Sequence, residues 1–187
     1  MASDCGTHGN RDGYVRQLKR FIQVDAYGGC GHLKLENCGK DYTGASPEGC
    51  YDLLESKHYK FYLSFENSIC TDYVTEKFFW IMTRNMVPVV YGGAGYGRIA
   101  PPHSYIDANQ FEPKELAEYL LLLDANETLY NEYFWWKDYY YVEAGPEQIV
   151  KTRILRPLQE TAIRLWKNQD LQRIAISLDT GKPMQGT

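Results

Sequence analysis

A chain of 187 residues that is 44% hydrophobic and 24% charged has enough apolar material to bury a core, most simply as one compact lobe. Its formal net charge of −4 excludes a general nucleic-acid binder, whose phosphate contacts require an excess of Lys and Arg, so any basic site must be local. No run approaches the ~20 apolar residues of a membrane helix, and no charged-then-apolar leader follows Met1.

Tyr14, Val15, Leu18 and Phe21 recur at helical spacing, and Phe21-Ile22-Gln23-Val24-Asp25 follows as a β-rich run that ends in Tyr27-Gly28-Gly29. The expected order is helix, strand, glycine turn. Arg11 opens that helix, where a guanidinium either grips a phosphate bidentately or lies on an ordinary surface. The polar segment from Gly28 to Tyr51 reads as a loop. Cysteines stand at positions 5, 30, 38, 50 and 70, without the paired CxxC spacing of a zinc site, so no metal site is expected. Clustering of this kind suits local disulfides, with Cys38 to Cys50 as the candidate bridge; reduced, buried cysteines are the alternative.

Tyr59 to Phe65 reads as a buried strand that delivers Glu66 and Asn67 to the carboxyl edge of a sheet, where open α/β folds place their ligands. A carboxylate and an amide there suit ribose hydroxyls or a phosphate; a turn or a cap is the structural alternative. A helix is expected from Tyr73 to about Asn85, capped by Asp72, with Val74, Phe78 and Ile81 on its buried face. Its first backbone N–H groups favour an anion. Lys77 in that first turn opposes the usual preference for negative side chains at helix starts, which a local anion explains. Beside it, Glu76 suits a ribose hydroxyl and Thr75 a short hydrogen bond, unless all three are simply an exposed turn. Val87 to Tyr91 completes a strand, helix, strand unit with parallel strands, so the fold class is α/β with a Rossmann-like sheet.

Gly92-Gly93-Ala94-Gly95-Tyr96-Gly97 does not match GxGxxG, and no capped helix follows it, which excludes a dinucleotide loop. Ser104-Tyr105-Ile106-Asp107 is an expected edge strand. Pro113 then opens a helix at its preferred first position, running through Leu123 with Leu116, Tyr119, Leu120 and Leu123 inward. Asn126-Glu127-Thr128 is a glycosylation sequon just beyond it, and with the cysteines it favours a secretory lumen. Asn126 to Trp136 reads as an amphipathic helix, and 146 to about 178 as a helical tail broken at Pro157. The division expected is a lobe at 1–142 and a tail at 143–187. The four histidines are scattered and no Ser or Cys sits in a nucleophile elbow, against a hydrolase triad.

The strings from Tyr59 to Ser68, Asp72-Tyr73-Val74-Thr75-Glu76-Lys77-Phe78 and Val87 to Gly92 resemble the signature of the α1,3-fucosyltransferases, glycosyltransferase family 10. The likeness extends upstream to Cys5, Arg11 and Val24 to Gly28, and downstream through Tyr133-Phe134-Trp135-Trp136. It implies the C-terminal, donor-binding half of a GT-B fold. It further implies transfer of fucose from GDP-fucose to an N-acetylglucosamine hydroxyl of a glycan in α1,3 linkage, with inversion. By resemblance, Arg11 and Lys77 hold the diphosphate, Glu76 the ribose, and Glu66, Asn67, Tyr73 and Thr75 complete the donor pocket. Two cations then do electrostatically what a metal does elsewhere, so no obligatory metal or cofactor is implied.

The family's general base belongs to the N-terminal lobe, so no catalytic residue is assigned here and the chain alone is expected to be inactive. Resemblance also implies a Golgi-lumenal enzyme that is membrane-anchored as a full-length type II protein, with no anchor in these residues. Two alternatives stand: a non-catalytic nucleotide-sugar or glycan-binding module on this fold, and a GT-B enzyme for UDP- or ADP-sugars.

Overall fold

The computed structural model describes residues 9–27, 48–142 and 156–157. Helix α1 spans Arg11–Leu18 and α2 Glu48–Ser56; β1 (Phe61–Phe65), α3 (Glu76–Met82) and β2 (Val87–Tyr91) follow. A 3-10 turn at Tyr96–Arg98 leads to β3 (Ile106–Asp107), a second such turn at Ala108–Gln110, α4 (Pro113–Ala125) and α5 (Glu127–Asn131). A longer 3-10 segment, Glu132–Asp138, precedes the short strands β4 (Tyr140–Tyr141) and β5 (Arg156–Pro157).

Strands β1, β2 and β3 form one parallel sheet in that order. Phe61 stands opposite Val87 and Phe65 opposite Tyr91, while Val89 meets Ile106. Parallel neighbours require a crossover, and α3 supplies it between β1 and β2. This is the strand, helix, strand unit that the sequence calls for. Both faces of the sheet are covered, which is why its strands read as near-continuous apolar runs. Phe65, Val87 and Val89 pack with Leu18, Leu116, Leu120 and Leu123 on one face. Val90 packs with Phe78, Met82, Tyr96 and Trp136 on the other. A third cluster of Tyr51, Leu54, Tyr62, Trp80, Ile81 and Met86 joins α2 to α3.

The α4 start follows its local chemistry. Pro113 occupies the first turn, and Glu112 and Glu115 form a reciprocal capping box, with the Glu112 N–H donating to Glu115 Oε2 at 3.0 Å.

Several expectations are corrected. Residues 21–25 form no strand; Ile22 and Val24 instead pack on the core from an irregular segment. Helix α3 begins at Glu76 rather than Tyr73 and ends at Met82. Asp72 is not its cap: it adopts a left-handed φ of 58° and pairs with Arg98, and the cap position falls on Thr75. The expected helix from Asn126 to Trp136 is a five-residue α-helix followed by a 3-10 segment, because Tyr133 and Trp136 at i and i+3 share one buried face when each turn takes three residues. Arg156–Pro157 pairs antiparallel with Tyr140–Tyr141, so those two residues are not helical; the rest of the tail lies outside the described residues.

Candidate functional site

Strands β1 and β2 end at one edge of the sheet, and the chemistry collects there. Glu66, the first residue past β1, donates its N–H to the Tyr91 carbonyl at 2.9 Å, which extends the ladder by one rung. Its side chain is fully buried. A buried carboxylate must be hydrogen-bonded, and Thr75 meets that need. The Thr75 N–H donates to Glu66 Oε1 at 2.8 Å, and its hydroxyl lies 3.1 and 2.8 Å from Oε1 and Oε2. Burial pushes the Glu66 carboxyl above its usual range, while the Thr75 N–H and the Lys77 charge oppose that rise.

Lys77 completes the cluster. Its Nζ donates to Thr75 Oγ1 at 2.9 Å and to Glu76 Oε1 at 3.2 Å, and stands 4.0 Å from Glu66 Oε2. The order is therefore buried carboxylate, hydroxyl, ammonium, each positioning the next. Ser64, fully buried in β1, donates its hydroxyl to the Lys77 carbonyl at 3.2 Å and pins the start of α3 to the strand. With only seven residues, α3 adds little dipole, so the positive charge at this edge is that of Lys77 itself.

The chain before α1 lies over the same edge. Gly9 donates its N–H to the Asn67 carbonyl at 3.3 Å, and a Cβ at Gly9 would stand 3.2 Å from that oxygen. Arg11 is buried, and its Nη1 donates to the Phe65 carbonyl at 3.2 Å, next to Glu66. Asn67 Oδ1 is buried with no hydrogen-bond partner among the described residues. Tyr73 is exposed, and its phenol is pushed up first by partial burial and then by the charge on Glu66, which places it in the field of the cluster.

The expected donor residues thus converge, in two layers. Tyr73, Glu76 and Lys77 reach the surface, Glu66 and Thr75 hold Lys77 from below, and Arg11 is buried against the Phe65 carbonyl. Direct reading of a ligand by Glu66, expected from its place after the strand, does not fit a side chain with no exposed surface. Ser64 joins the site through its bond to the Lys77 carbonyl, and its signal in the sequence is a lone serine in the apolar run Phe61-Tyr62-Leu63-Ser64-Phe65. A separate cavity of about 870 Å³ runs along the outer edge of β1, lined by Arg11, Val24, Phe61, Leu63 and Leu120. Of the expected donor residues, Arg11 alone lines it.

Cys50 is disulfide-bonded, and Cys38, its expected partner, lies outside the described residues. Cys70 is a free, exposed thiol. Asn126 is exposed, and its Oδ1 caps α5 by accepting from the Leu129 N–H at 3.2 Å. No helix among the described residues is long and apolar enough to cross a membrane.

Residues 1–179 match the family model for glycosyltransferase family 10 (fucosyltransferase), C-terminal. Alpha-(1,3)-fucosyltransferase C of Drosophila melanogaster is 47% identical over 141 residues, 75% of this chain and 31% of that protein. GDP-fucose protein O-fucosyltransferase 3 of Homo sapiens is 37% identical over 176 residues, 92% of this chain and 34% of that one. A crystal structure of an α1,3-fucosyltransferase with GDP-fucose matches with a TM-score of 0.54 at 18% identity, covering 100% of this chain and 48% of the other. The chain spans 31% and 34% of the length of those two relatives.

Proposed function

This chain belongs to glycosyltransferase family 10 and has the α/β fold of the C-terminal half of a GT-B enzyme, and on that premise we propose that it holds GDP-fucose for transfer of fucose to a glycan hydroxyl in α1,3 linkage, with inversion. The observation that carries this reading is Lys77, whose ammonium is fixed by Thr75 Oγ1 and Glu76 beside the buried Glu66. An ammonium fixed at the carboxyl edge of a parallel sheet suits the diphosphate of a nucleotide sugar. Arg11, buried beneath the edge beside the Phe65 carbonyl, adds a second positive charge that acts at a distance rather than by contact, while Glu76 and Tyr73 face the ribose and sugar, with Asn67 beside them.

Inversion takes one in-line displacement. The acceptor oxygen attacks the anomeric carbon, the bond to the β-phosphate oxygen breaks, and GDP leaves with the negative charge that Lys77 and Arg11 stabilise. The base that takes the acceptor proton lies, on this reading, in the portion of the full-length enzyme that precedes the matched segment. The chain by itself binds the donor and does not turn it over.

Calorimetric titration with GDP tests the site. Binding is expected, weakened roughly 10- to 100-fold by Lys77→Ala, as for loss of a charge-assisted hydrogen bond. Absence of binding, a Lys77→Ala variant that binds as well as the wild type, or preference for UDP or ADP in competition would overturn the reading.

A protein hydroxyl is a second acceptor reading. Similarity to protein O-fucosyltransferase 3 runs over 176 residues, against 141 for the α1,3-fucosyltransferase, and so takes in part of the chain after residue 142. Full-length enzyme assayed on a free glycan and on a folded protein acceptor separates the two. For location we propose the Golgi lumen, with a type II anchor in the full-length protein. The Cys50 disulfide supports an oxidising compartment, and the exposed Asn126, whose cap uses Oδ1 and leaves Nδ2 available, supports glycan attachment there.

A further inference from the structure

Two loops meet at the carboxyl edge of the sheet, one after β1 and one after β2, and an ion pair spans them. Arg98, in the 3-10 turn after β2, donates through Nη2 to Asp72 Oδ1 in the loop after β1. Both side chains are exposed, and an exposed pair ordinarily contributes little, because two long side chains must be ordered in water. Here the backbone has done much of that ordering. The Arg98 N–H donates to the Gly95 carbonyl at 2.9 Å, and a Cβ on Gly95 would stand 2.8 Å from Arg98 Nε, so the guanidinium lies folded over a glycine that leaves it room. From the inner side, Tyr96 packs on Phe78 of α3 with ring centroids 5.4 Å apart and anchors the same turn. The two loops also touch directly, since a Cβ on Gly93 would stand 2.7 Å from the Cys70 carbonyl oxygen.

Asp72 is held at a left-handed φ of 58°, a conformation that side chains with a Cβ rarely adopt and that Asp tolerates better than most. That backbone closes the turn in which the Tyr73 N–H donates to the Cys70 carbonyl at 3.3 Å. The ion pair therefore acts on the residue just before Tyr73 and three before Thr75, whose hydroxyl holds Lys77. We infer that Arg98 is a positioning residue for the donor site: paired with Asp72, it clasps the loop after β2 to the loop after β1 and so fixes Tyr73 at the rim of the Lys77 cluster. Arg98 itself touches no ligand in this account. Its anchored turn is the rigid post, and the Asp72 turn is the part it keeps in place.

The consequence for the donor rests on the GDP-fucose reading, so the first measurement omits the nucleotide. In the unliganded chain, hydrogen exchange of the Tyr73 amide is followed by NMR at low and high salt. Wild-type exchange is expected to be about 2- to 5-fold faster at high salt, where the pair is screened, and Arg98→Ala is expected to be fast at both. In an Asp72→Ala background, which is also expected to be fast, Arg98→Ala adds nothing further. Lys114→Ala removes a similarly exposed pair, with Glu118 on α4, and is expected to leave the Tyr73 amide unchanged. The second measurement is GDP affinity: Arg98→Ala weakens it about 2- to 5-fold, and Arg98→Lys, which keeps the charge, recovers most of the loss. A Tyr73 amide indifferent to Arg98→Ala, or one that responds equally to Lys114→Ala, overturns the inference. So does an Arg98→Ala loss of GDP affinity that is the same with and without the Asp72 carboxylate, since Arg98 would then touch the ligand itself. A chain that binds no GDP while the amide still responds keeps the clasp and rejects the donor reading alone.

Discussion

Two half-buried lysines stand at opposite ends of the same sheet, and their surroundings separate the proposed donor cluster from a structural one. At the amino end of β2, Lys137 Nζ donates to the Arg84 carbonyl at 2.6 Å and to Asn85 Oδ1 at 3.0 Å. Arg84 pairs with Asp52 at 2.8 Å, and Glu55 accepts from both the N–H and the side chain of Asn85. Tyr130 Oη lies within hydrogen-bond distance of the Lys60 and Asn85 carbonyls. Each contact joins two elements, so this cluster ties α2 and the 3-10 segment to the turn between α3 and β2. At the carboxyl end, the Lys77 ammonium donates to Thr75 and Glu76, both within two residues of it, and stands 4.0 Å from the buried Glu66 rather than on backbone carbonyls across a seam. A cation spent on backbone carbonyls across a seam is part of the scaffold, whereas one held by side chains over a buried carboxylate is the one proposed for the diphosphate. Burial pushes the Lys137 titration down, with Arg84 adding to the effect, as expected where a cation is buried for structure.

The contrast breaks most sharply at the two lysines themselves. Lys77→Ala is expected to weaken GDP roughly 10- to 100-fold with little change in the denaturation midpoint. Lys137→Met keeps a stem of similar length but removes the ammonium that lies over the Phe134 and Trp136 rings and strands the two acceptors, so chemical denaturation should record a loss of about 1–3 kcal/mol with GDP affinity unchanged. If the two phenotypes exchange, the distinction fails. Gly92→Ala carries a defect of the second kind into the first region. Its Cβ would overlap Tyr96 Oη and crowd Glu66, which costs about 1–3 kcal/mol in overpacking and should also lower GDP affinity as Glu66 is displaced.

The smallest effect belongs to His103, far from both lysines in sequence. It stacks on Tyr133 and stands 3.8 Å from Glu132. Burial lowers its titration below the ordinary value, with Glu132 opposing. On unfolding the imidazole binds protons more readily, so stability is fully present above the ordinary histidine range and falls as pH drops through it. His103→Phe should flatten that slope between pH about 5 and 7 in denaturation midpoints. An unchanged slope would show that the ring titrates as if exposed.

Legibility in the sequence followed how local the cause was. The β1, α3, β2 unit and the α4 start were readable, because apolar periodicity, a proline at a helix start and the Glu112 and Glu115 pair act within a few residues. The site segment from Glu66 to Lys77 was readable as a place. Its internal division was not. Asp72 had the residue type of a helix cap, but its bond to Arg98, 26 residues on, drew it into a left-handed turn. The run at 21–25 had strand composition, yet among the described residues it forms no ladder, because strand formation needs a partner edge as well as propensity. In the sequence, the glycines at 92 and 93 mark only a loop unsuited to a dinucleotide. Their packing role, with a Cβ at Gly93 meeting the Cys70 backbone at 2.7 Å, depends on a segment more than twenty residues away.

The sequence by itself determined the fold class, the order of the sheet-forming elements and the position of the charged segment, since hydrophobic period and turn residues are properties of neighbours in the chain. Only the tertiary structure decided which of those charged residues are buried and which reach the surface. Glu66 and Lys77 are both charged and lie eleven positions apart, but only packing buries one completely and leaves the other reaching the surface. Burial is set by everything that covers a residue, and for Glu66 that cover includes Thr75 and Gly92, on separate turns of the chain.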